Sequence, residues 1–336
     1  VIAGILLLLA VFVRRLPWLR ARNARSLNQV HVSTNQLLID IVKQAVPFII
    51  MDSAISWYYL IDQYTFFKGM LSLYHTNMTQ LNYFYAMYAG NANKLIMIVV
   101  SLATAMAVTA IPILSRAITK RDMKNVAAQI TSILQLFFFV MLPAAIGMAA
   151  ISHPLYVLFY AYNQQGFLML EISCLLAIFL GLFTVLAAIL QGLFQNGTAI
   201  RLMLYGVATK LILQLPFLYL FNVNGPMFTS IAGMLVSCGF MLHYLRKNFR
   251  FKVRQTARRV LGMTAFSLVK FAFARIVVIL LSHVLNPASK TQSAVIIVAA
   301  LVVGVAVYAY LVLKTRLADR ILGARVVRIR NLMHIK

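Results

Sequence analysis

The stretch FLMLEISCLLAIFLGLFTVLAAILQGLF, residues Phe167–Phe194, contains a single charged residue, Glu171. A run of about 20 apolar residues is long enough to cross the hydrocarbon core of a bilayer as an α-helix. Only helices and closed barrels satisfy their backbones in lipid, and barrel strands alternate in polarity over about ten residues. Because this run is continuous rather than alternating, it predicts a membrane-spanning helix.

The whole chain has the composition of a membrane protein. Of its 336 residues, 62% are hydrophobic and 11% are charged, and the mean hydropathy is +0.87. Soluble domains are about 45–50% apolar and about 25% charged, so we expect an all-α, polytopic transmembrane helix bundle. Cys174 and Cys238 lie within apolar runs, and we expect them to pack as small side chains rather than to form a disulfide or a metal site.

Apolar runs at similar spacing predict nine membrane spans. The first, Val1–Val13, is too short to cross a bilayer, and its arginines follow it rather than precede it as in a signal peptide. We therefore expect it to be the end of a truncated helix whose preceding part is missing. The remaining predicted spans are Gln44–Phe67, Lys94–Ser115, Val126–Ile151, Phe167–Phe194, Thr198–Phe221, Gly225–Tyr244, Val260–Leu285 and Gln292–Leu313.

The net charge of +25 is concentrated in alternate connections between these spans. Basic residues follow the first, third, fifth, seventh and ninth spans, whereas the intervening loops carry almost none. Because Lys and Arg are enriched in cytoplasmic loops, this alternation predicts a multi-pass protein of the cell membrane with a cytoplasmic C-terminus. Nucleic-acid binding would need these cations on a folded soluble face, so it is not expected.

Lys210 is the first candidate for a functional residue within a span. A charge at the centre of a membrane helix costs about 2.5–3.5 kcal/mol on insertion scales, and such residues mark substrate or ion pathways by default. Largely apolar sequence precedes and follows Lys210. Its ammonium group needs an aqueous cavity, a substrate diphosphate or a carboxylate, for which Glu171 and Asp52 are the candidates.

Asp62 is the second candidate. It lies with Gln63 near the predicted outer end of its span, and Asp52 lies on a related face of the same helix. Asn93 and Lys94 lie at the start of the next span. Because the two spans are consecutive and antiparallel, we expect Asp62 and Lys94 to approach each other.

Structural roles compete with some of these assignments. Lys94 and Glu171 can instead extend their charged groups to the outer membrane interface. We interpret Lys270 and Arg275 as anchors to lipid headgroups. The tyrosines and phenylalanines of the second span and the loop that follows it are typical of an interfacial belt, although some can also stack on a sugar.

The sequence carries none of the motifs that point to catalysis. It contains no Ser-His-Asp grouping, no metal-ligand spacing of histidine and cysteine, and no glycine-rich phosphate loop. We therefore expect neither an enzyme nor a bound cofactor or metal.

Four stretches resemble, in order and in span position, the polysaccharide-biosynthesis branch of the MOP flippase superfamily, which includes MurJ-type lipid II flippases, stage V sporulation protein B and YtgP-like proteins. The closing ILGARVVRIRNLMHIK (321–336) is similar to the basic tails of YtgP-like members. The four stretches are AVPFIIMDSAISWYYLIDQYTF (45–66), NANKLIMIVVSLATAMAVTAIPILSRAITKRD (91–122), LPAAIGMAAISHPLYVLFY (142–160) and ILQGLFQNGTAIRLMLYGVATKLILQLPFLYLF (189–221).

The resemblance implies a plan for the chain, since that family has two six-helix lobes followed by two extra helices. The basic linker, 14–43, is either an element that lies on the anionic inner leaflet or a solvated loop. The basic loop after the seventh span, 246–259, suits an interfacial helix. The implied segments are the end of a truncated helix at 1–13, a basic cytoplasmic linker at 14–43, the second lobe at 44–245, a basic cytoplasmic loop at 246–259, two additional transmembrane helices at 260–313 and a basic cytoplasmic tail at 314–336.

The resemblance also implies a function, the flipping by alternating access of a lipid-linked oligosaccharide or peptidoglycan precursor, an undecaprenyl-diphosphate sugar such as lipid II. Its partners would be this lipid-linked sugar, membrane lipids, H⁺ or Na⁺ as coupling ion, and the missing N-terminal lobe. An arginine that MurJ-type members carry at the start of helix eight falls near Asn93 and Lys94, so only Lys94 can take its role. The alternatives are a multidrug or cation antiporter, which would use Asp52, Asp62 or Glu171, and a non-transporting scaffold of cell-wall assembly.

The alternating charge predicts a topology that labelling can test. Single cysteines at Gln165 and Lys290 should react with an impermeant thiol reagent in intact cells. Cysteines at Arg121, Arg254 and Arg330 should react only after permeabilisation, because the basic loops are expected to face the cytoplasm. Reaction of Gln165→Cys only after permeabilisation would contradict the nine-span arrangement.

Overall fold

The computed structural model describes residues 9–18, 33–74 and 77–322, and these residues are predominantly helical. The chain divides into two compact units, Val1–Val46 and Pro47–Lys336. The described part of the first unit consists of a helix over 9–18, named α1, and the beginning of the next helix, α2. The second unit contains the rest of α2 and all later helices.

Short connections join the helices that follow α1. A π-helical segment, Ala86–Ala92, links α3 to α4, and a 3₁₀ turn, Asn222–Asn224, links α8 to α9. The helices are α2 (Thr34–Tyr74), α3 (Met78–Tyr85), α4 (Asn93–Thr119), α5 (Met123–Ala150), α6 (Ser152–Phe159), α7 (Gln164–Gly192), α8 (Asn196–Phe221), α9 (Gly225–Phe249), α10 (Val253–Val284), α11 (Lys290–Lys314) and α12 (Leu317–Leu322).

Six helical segments among the described residues are long and apolar enough to cross a membrane. One of them, Asn196–Phe249, contains both α8 and α9, and another, Met78–Thr119, contains α3 and α4. The predicted all-α, multi-pass architecture is therefore confirmed. Each predicted span from the third to the ninth lies on one long helix, which it exceeds by at most two residues at its end, and the predicted second span, 44–67, lies within α2, which is not among the six.

Two basic segments that the sequence predicted as connections are partly helical. α2 begins at Thr34, inside the predicted linker 14–43. α10 begins at Val253, so the predicted loop 246–259 is reduced to a turn over 250–252. Arg and Lys are good helix formers, so their charge marks where the chain leaves the apolar layer and not where the helix ends.

α7 is the central helix of the second unit. It packs against α4, α5, α8 and α9, and most of its residues are buried. A helix that is apolar on every face is expected to lie inside a bundle, which explains its continuous apolar sequence. At the edge of the bundle, α10 and α11 pack on α5 and α6 and expose large side chains such as Leu280 and Val302, as expected of faces in contact with lipid.

Pro143 interrupts the hydrogen-bond ladder of α5, and each of the two C-terminal helices donates a side-chain hydrogen bond at this point. Because proline has no N–H, the carbonyl of Phe139 loses its helical partner. The Tyr308 hydroxyl of α11 donates to the Phe139 carbonyl oxygen at 3.2 Å, and the Lys270 ammonium of α10 donates to the Pro143 carbonyl oxygen at 2.8 Å. These bonds attach α10 and α11 to α5.

The position of Lys270 corrects its interpretation as a headgroup anchor. Its side chain is buried between α5 and α11, and a Cβ atom on Gly147 would lie 2.6 Å from Lys270 Nζ. On the opposite side, a Cβ atom on Gly304 would lie 3.2 Å from Lys270 Cε. The two glycines therefore provide the space in which this lysine reaches a backbone carbonyl instead of a lipid headgroup.

α8 and α9 form an antiparallel hairpin whose backbones approach closely at two glycines. A Cβ atom on Gly233 would lie 2.6 Å from the Gly206 carbonyl oxygen, and one on Gly206 would overlap the Gly233 carbonyl and the Ser237 hydroxyl. Small residues commonly permit such close packing of membrane helices. This approach brings the polar side chains of the two helices within hydrogen-bond distance.

Replacement of Gly206 by alanine should therefore destabilise the protein. The added methyl group has no space, and overpacking of this kind costs about 1–3 kcal/mol. Gly239→Ala is the matched control on α9, because a Cβ atom there meets nothing within 4 Å. Thermal unfolding of the full-length protein in lipid nanodiscs should show a lower Tm for Gly206→Ala alone, and equal Tm values would show that the hairpin is not tightly packed.

Candidate functional site

Asp62 of α2 and Lys210 of α8 form an ion pair in the interior of the second unit. Lys210 Nζ lies 2.7 Å from Asp62 Oδ1, and the two side chains are 0% and 1% exposed. Neither charge is tolerable alone at such a position, because removal of one partner of a buried pair leaves an uncompensated charge and costs about 3–5 kcal/mol. The pair therefore joins α2 to the α8–α9 hairpin.

Neutral donors complete the surroundings of the Asp62 carboxylate. The Tyr88 hydroxyl donates to Asp62 Oδ2 at 2.8 Å, and Gln214 Nε2 donates to Asp62 Oδ1 at 3.0 Å. The Thr229 hydroxyl donates to Gln214 Oε1 at 2.7 Å, which fixes the amide with its NH₂ group toward the carboxylate. Both carboxylate oxygens are thus occupied by donors.

The Lys210 ammonium has two further contacts. It donates to Ser230 Oγ of α9, and its Nζ lies 5.4 Å from the centroid of the Tyr58 ring. An ammonium group within about 6 Å of an aromatic ring is attracted to the ring face, more strongly when it is desolvated. The cation is therefore held by a carboxylate, a hydroxyl and an aromatic ring.

Helical spacing explains why these side chains meet. Tyr58 and Asp62 are one turn apart on α2, and Gly206, Lys210 and Gln214 follow one another at intervals of four on α8. Residues four apart share one face of a helix, so α8 presents its glycine, its cation and its amide to the same neighbours. The glycine allows the approach of α9, which brings Thr229 and Ser230 to the other two groups.

Tyr88 reaches the pair from a π-helical segment, Ala86–Ala92. A π turn closes on the fifth residue and shifts the faces that a helix presents before and after it, and such turns are frequent at functional sites. Gly90 lies in this segment with nothing within 4 Å of a Cβ position. The segment thus combines one buried tyrosine, fixed on Asp62, with open space on its other side.

The structure brings together two of the predicted site residues, Asp62 and Lys210. Lys210 was expected to pair with Glu171, Asp52 or a substrate diphosphate, and its partner is instead Asp62. Lys94, which was expected to approach Asp62, is exposed at the start of α4 and forms no ion pair with it. Proximity in the chain favoured neighbouring spans, whereas the packing of α2 against α8 decided the partner.

Of the remaining predicted residues, those that the structure describes form no ion pair or hydrogen bond with Asp62 or Lys210. Gln63 is exposed on α2, and Asn93 accepts a hydrogen bond from the Tyr59 hydroxyl at 3.0 Å. Glu171 is half-buried at the wall of an apolar cavity of about 190 Å³ between α5, α7 and α10. The side chain of Asp52 lies outside the described residues.

Sequence reasoning missed the neutral members of the site. Gln214 lies one turn after Lys210, and Thr229 and Ser230 lie in the first turns of the next predicted span, so a search for polar residues around Lys210 would have found them. Tyr58 and Tyr88 were interpreted as part of an interfacial belt, yet both are buried beside the ion pair. Their position inside the bundle corrects that interpretation.

The described residues offer no evident metal site. Within them, no group of three or more His, Cys, Asp or Glu is arranged to hold a metal ion. Cys174 and Cys238 are buried and free. What the arrangement can do chemically is compensate charge and, at the Asp62 carboxylate, take up a proton.

Asp62→Leu and Lys210→Met should each destabilise the full-length protein by about 3–5 kcal/mol, because each leaves one buried charge without its partner. The double variant Asp62→Leu/Lys210→Met should recover most of this loss, since apolar replacement of a whole buried pair is often neutral. The wild type, the two single variants and the double variant form a double-mutant cycle, and thermal unfolding in lipid nanodiscs measures the stability of each.

Lys94→Met is the control for this cycle, because it removes an exposed lysine and should change the stability by no more than about 0.5 kcal/mol. A double variant whose loss equals the sum of the two single losses would show that Asp62 and Lys210 are not energetically coupled.

Comparison with known proteins supports the resemblance seen in the sequence. The chain is 29% identical over 300 residues to the lipid II flippase MurJ of Bacillus subtilis (strain 168), an alignment that covers 88% of this chain and 55% of the relative. The chain thus spans about half the length of this curated relative. No family model matches the chain.

Solved structures share the fold. An inward closed conformation of lipid II flippase MurJ superposes with a TM-score of 0.60 at 14% identity, covering 89% of this chain and 58% of that one. An outward-facing multidrug resistance MATE family transporter of the MOP superfamily superposes with a TM-score of 0.53 at 19% identity, covering 87% and 67%. The chain therefore resembles the MurJ flippases in sequence, as predicted, and its fold is the one that MurJ shares with the MATE transporters.

Proposed function

We propose that this chain is the second lobe, followed by two additional helices, of a flippase that carries a lipid-linked oligosaccharide or peptidoglycan precursor across the cell membrane. The observation that carries the proposal is the sequence similarity to a lipid II flippase over 88% of the chain. The shared fold supports it. The first lobe would complete the substrate cavity, and the basic segments and the C-terminus would lie in the cytoplasm.

In this proposal the Asp62–Lys210 pair keeps the lobe rigid. Alternating access in transporters is largely the rocking of one helix bundle against another around a central site. A bundle that rocks as a unit needs strong connections between its helices, and the pair joins α2 to α8 while Gln214 and Ser230 extend the connection along the hairpin. The lobe can then transmit a movement of α2 to α8 and α9.

The pair also offers a place where a coupling ion could act. Protonation of the Asp62 carboxylate would remove the negative charge that compensates Lys210, and the buried ammonium would then need another partner. We propose that H⁺ or Na⁺ affects transport by competing for this carboxylate. Asp52, Gln63 and Glu171 remain further proposed members of an ion or substrate pathway.

Lys94 is the proposed contact for the substrate diphosphate. It is exposed beside Asn93 at the beginning of α4, so its ammonium is available to an anionic group. A hydrogen bond to a charged group contributes about 1.5–3 kcal/mol, which corresponds to roughly ten- to a hundredfold in affinity.

Two other functions are less well supported. A cation antiporter is supported by the shared fold alone, at 19% identity, whereas the sequence similarity is to a lipid II flippase. A scaffold without transport has no similar protein among these, since the flippase and the MATE protein are both transporters. The flippase proposal gives a role both to the Asp62–Lys210 pair and to the exposed Lys94.

The test is complementation of a strain depleted of its lipid II flippase by the full-length protein. Growth should be restored, and lipid II should become accessible to an impermeant reagent added outside the cells. Lys94→Met should lower the initial rate of this exposure roughly tenfold or more.

Lys68→Met is the control, because Lys68 is also an exposed lysine and has no proposed contact with the substrate. Failure of a stably expressed wild-type protein to expose lipid II would contradict the assignment of lipid II as substrate. Equal rates for Lys94→Met and Lys68→Met would remove Lys94 from the site.

A further inference from the structure

The turn between α9 and α10 forms a strongly basic cavity. Its volume is about 1010 Å³, and the described residues that line it include no carboxylate. Most of its cations are exposed, so their charges face outward rather than into the bundle. The basic side chains in the lining are Arg246, Lys252, Arg254, Arg258 and Arg259.

The backbone of this turn is anchored to the bundle. Arg250 ends α9 in the left-handed conformation with φ 49°, which reverses the chain direction within three residues. Phe251 is buried in the core next to α5. The Lys252 N–H then donates to Thr131 Oγ1 of α5 at 3.3 Å. The cations therefore project from a turn of fixed geometry.

A polar network continues this attachment along the first turns of α10. Gln135 of α5 donates through Nε2 to Thr256 Oγ1 at 3.4 Å, and Arg259 Nη1 donates to Gln135 Oε1. Both Gln135 and Thr256 are buried. One guanidinium group is thus held on α5, while the neighbouring cations face the cavity.

An apolar groove continues from the basic cavity. Its volume is about 350 Å³, and the two spaces share Arg246, Phe251 and Val253 in their linings. α5, α9 and α10 contribute its walls, with the side chains of Leu134, Phe138, Leu242, Ala257 and Val260.

We propose that this composite cavity binds a phospholipid with an anionic headgroup, with the phosphate among the cations and one acyl chain in the groove. Basic pockets between membrane helices recognise anionic lipid headgroups. A free phosphate ion would use the cations but not the groove, whereas a neutral lipid would bring no anion to the exposed Arg246, Arg254 and Arg258. Only an anionic amphiphile matches both parts.

This site is separate from the Asp62–Lys210 pair, with which its lining shares no residue. A lipid bound here would connect α5, α9 and α10, so it would hold the first of the two additional helices on the lobe. Because a ligand that binds only the native state stabilises it, the lipid should also raise the unfolding temperature. This inference does not depend on which substrate the protein transports.

The test is a titration of the full-length protein in neutral detergent with phosphatidylglycerol, followed by native mass spectrometry. The head variant Arg246→Gln/Arg254→Gln/Arg258→Gln should bind the lipid at least tenfold more weakly than the wild type. Its control is Arg116→Gln/Lys120→Gln/Lys124→Gln, which removes the same charge from exposed positions around the α4–α5 turn and should bind as the wild type does. An equal loss in both variants would overturn the proposal in favour of general surface attraction.

A second variant tests the groove without changing any charge. Ala257→Trp should fill the apolar space and weaken phosphatidylglycerol binding at least tenfold, while the Tm without lipid stays close to that of the wild type, since Ala257 is exposed. Phosphatidylcholine and inorganic phosphate should each bind at least tenfold more weakly than phosphatidylglycerol. Unchanged lipid binding by Ala257→Trp would show that no acyl chain occupies the groove. Equal binding of inorganic phosphate would show that the site takes a phosphate ion. Either result would overturn the lipid proposal.

Discussion

A charge inside a bilayer has no water to stabilise it, and the ion pair of Asp62 and Lys210 satisfies this constraint at the centre of the second unit. The two residues lie on α2 and α8, which are far apart in the chain, so the compensation of charge is also a tertiary connection. Hydrogen bonds complete the surroundings of both charges: Tyr88 and Gln214 donate to Asp62, and Ser230 accepts from Lys210. The close approach of α8 and α9 at Gly206 is needed because the hydrogen bonds across the hairpin are possible only at short separation.

The same constraint governs backbone groups. The carbonyl that Pro143 leaves without a donor in α5 receives one from Tyr308, and Lys270 donates to the carbonyl of the proline itself. Unsatisfied carbonyls are costly in an apolar layer, so the two C-terminal helices do more than add apolar surface. Tyr308 supplies the donor that α5 lacks at Phe139, and Lys270 adds a bond to the Pro143 carbonyl, so both side chains point inward on helices whose other faces are exposed.

Two arrangements of charge therefore coexist in the second unit. Inside the bundle, the Lys210 cation meets a carboxylate and the Lys270 cation meets a carbonyl. At the α9–α10 turn, Arg246, Arg254 and Arg258 line a cavity whose described lining contains no acidic residue. The internal charges hold helices together, whereas the charges at the turn are arranged for an anionic group that is not part of the chain. This division follows the dielectric boundary, since an unbalanced charge is tolerated only where water or a headgroup reaches it.

The sequence by itself determined the class of the protein and the positions of most long helices, and it singled out Asp62 and Lys210 as charges that need a partner, because apolar run length and the cost of buried charge are properties of local sequence. It did not determine the partner of Lys210, the inward position of Tyr58 and Tyr88, or the helical state of the segments predicted as the linker and the basic loop. Those depend on which helix faces pack together, and residues such as Gly206 and Gln214 carry no pairing information until α8 and α9 are placed side by side. The tertiary structure decided the pairing because a buried charge takes the nearest compensating group in space, not the nearest in the chain.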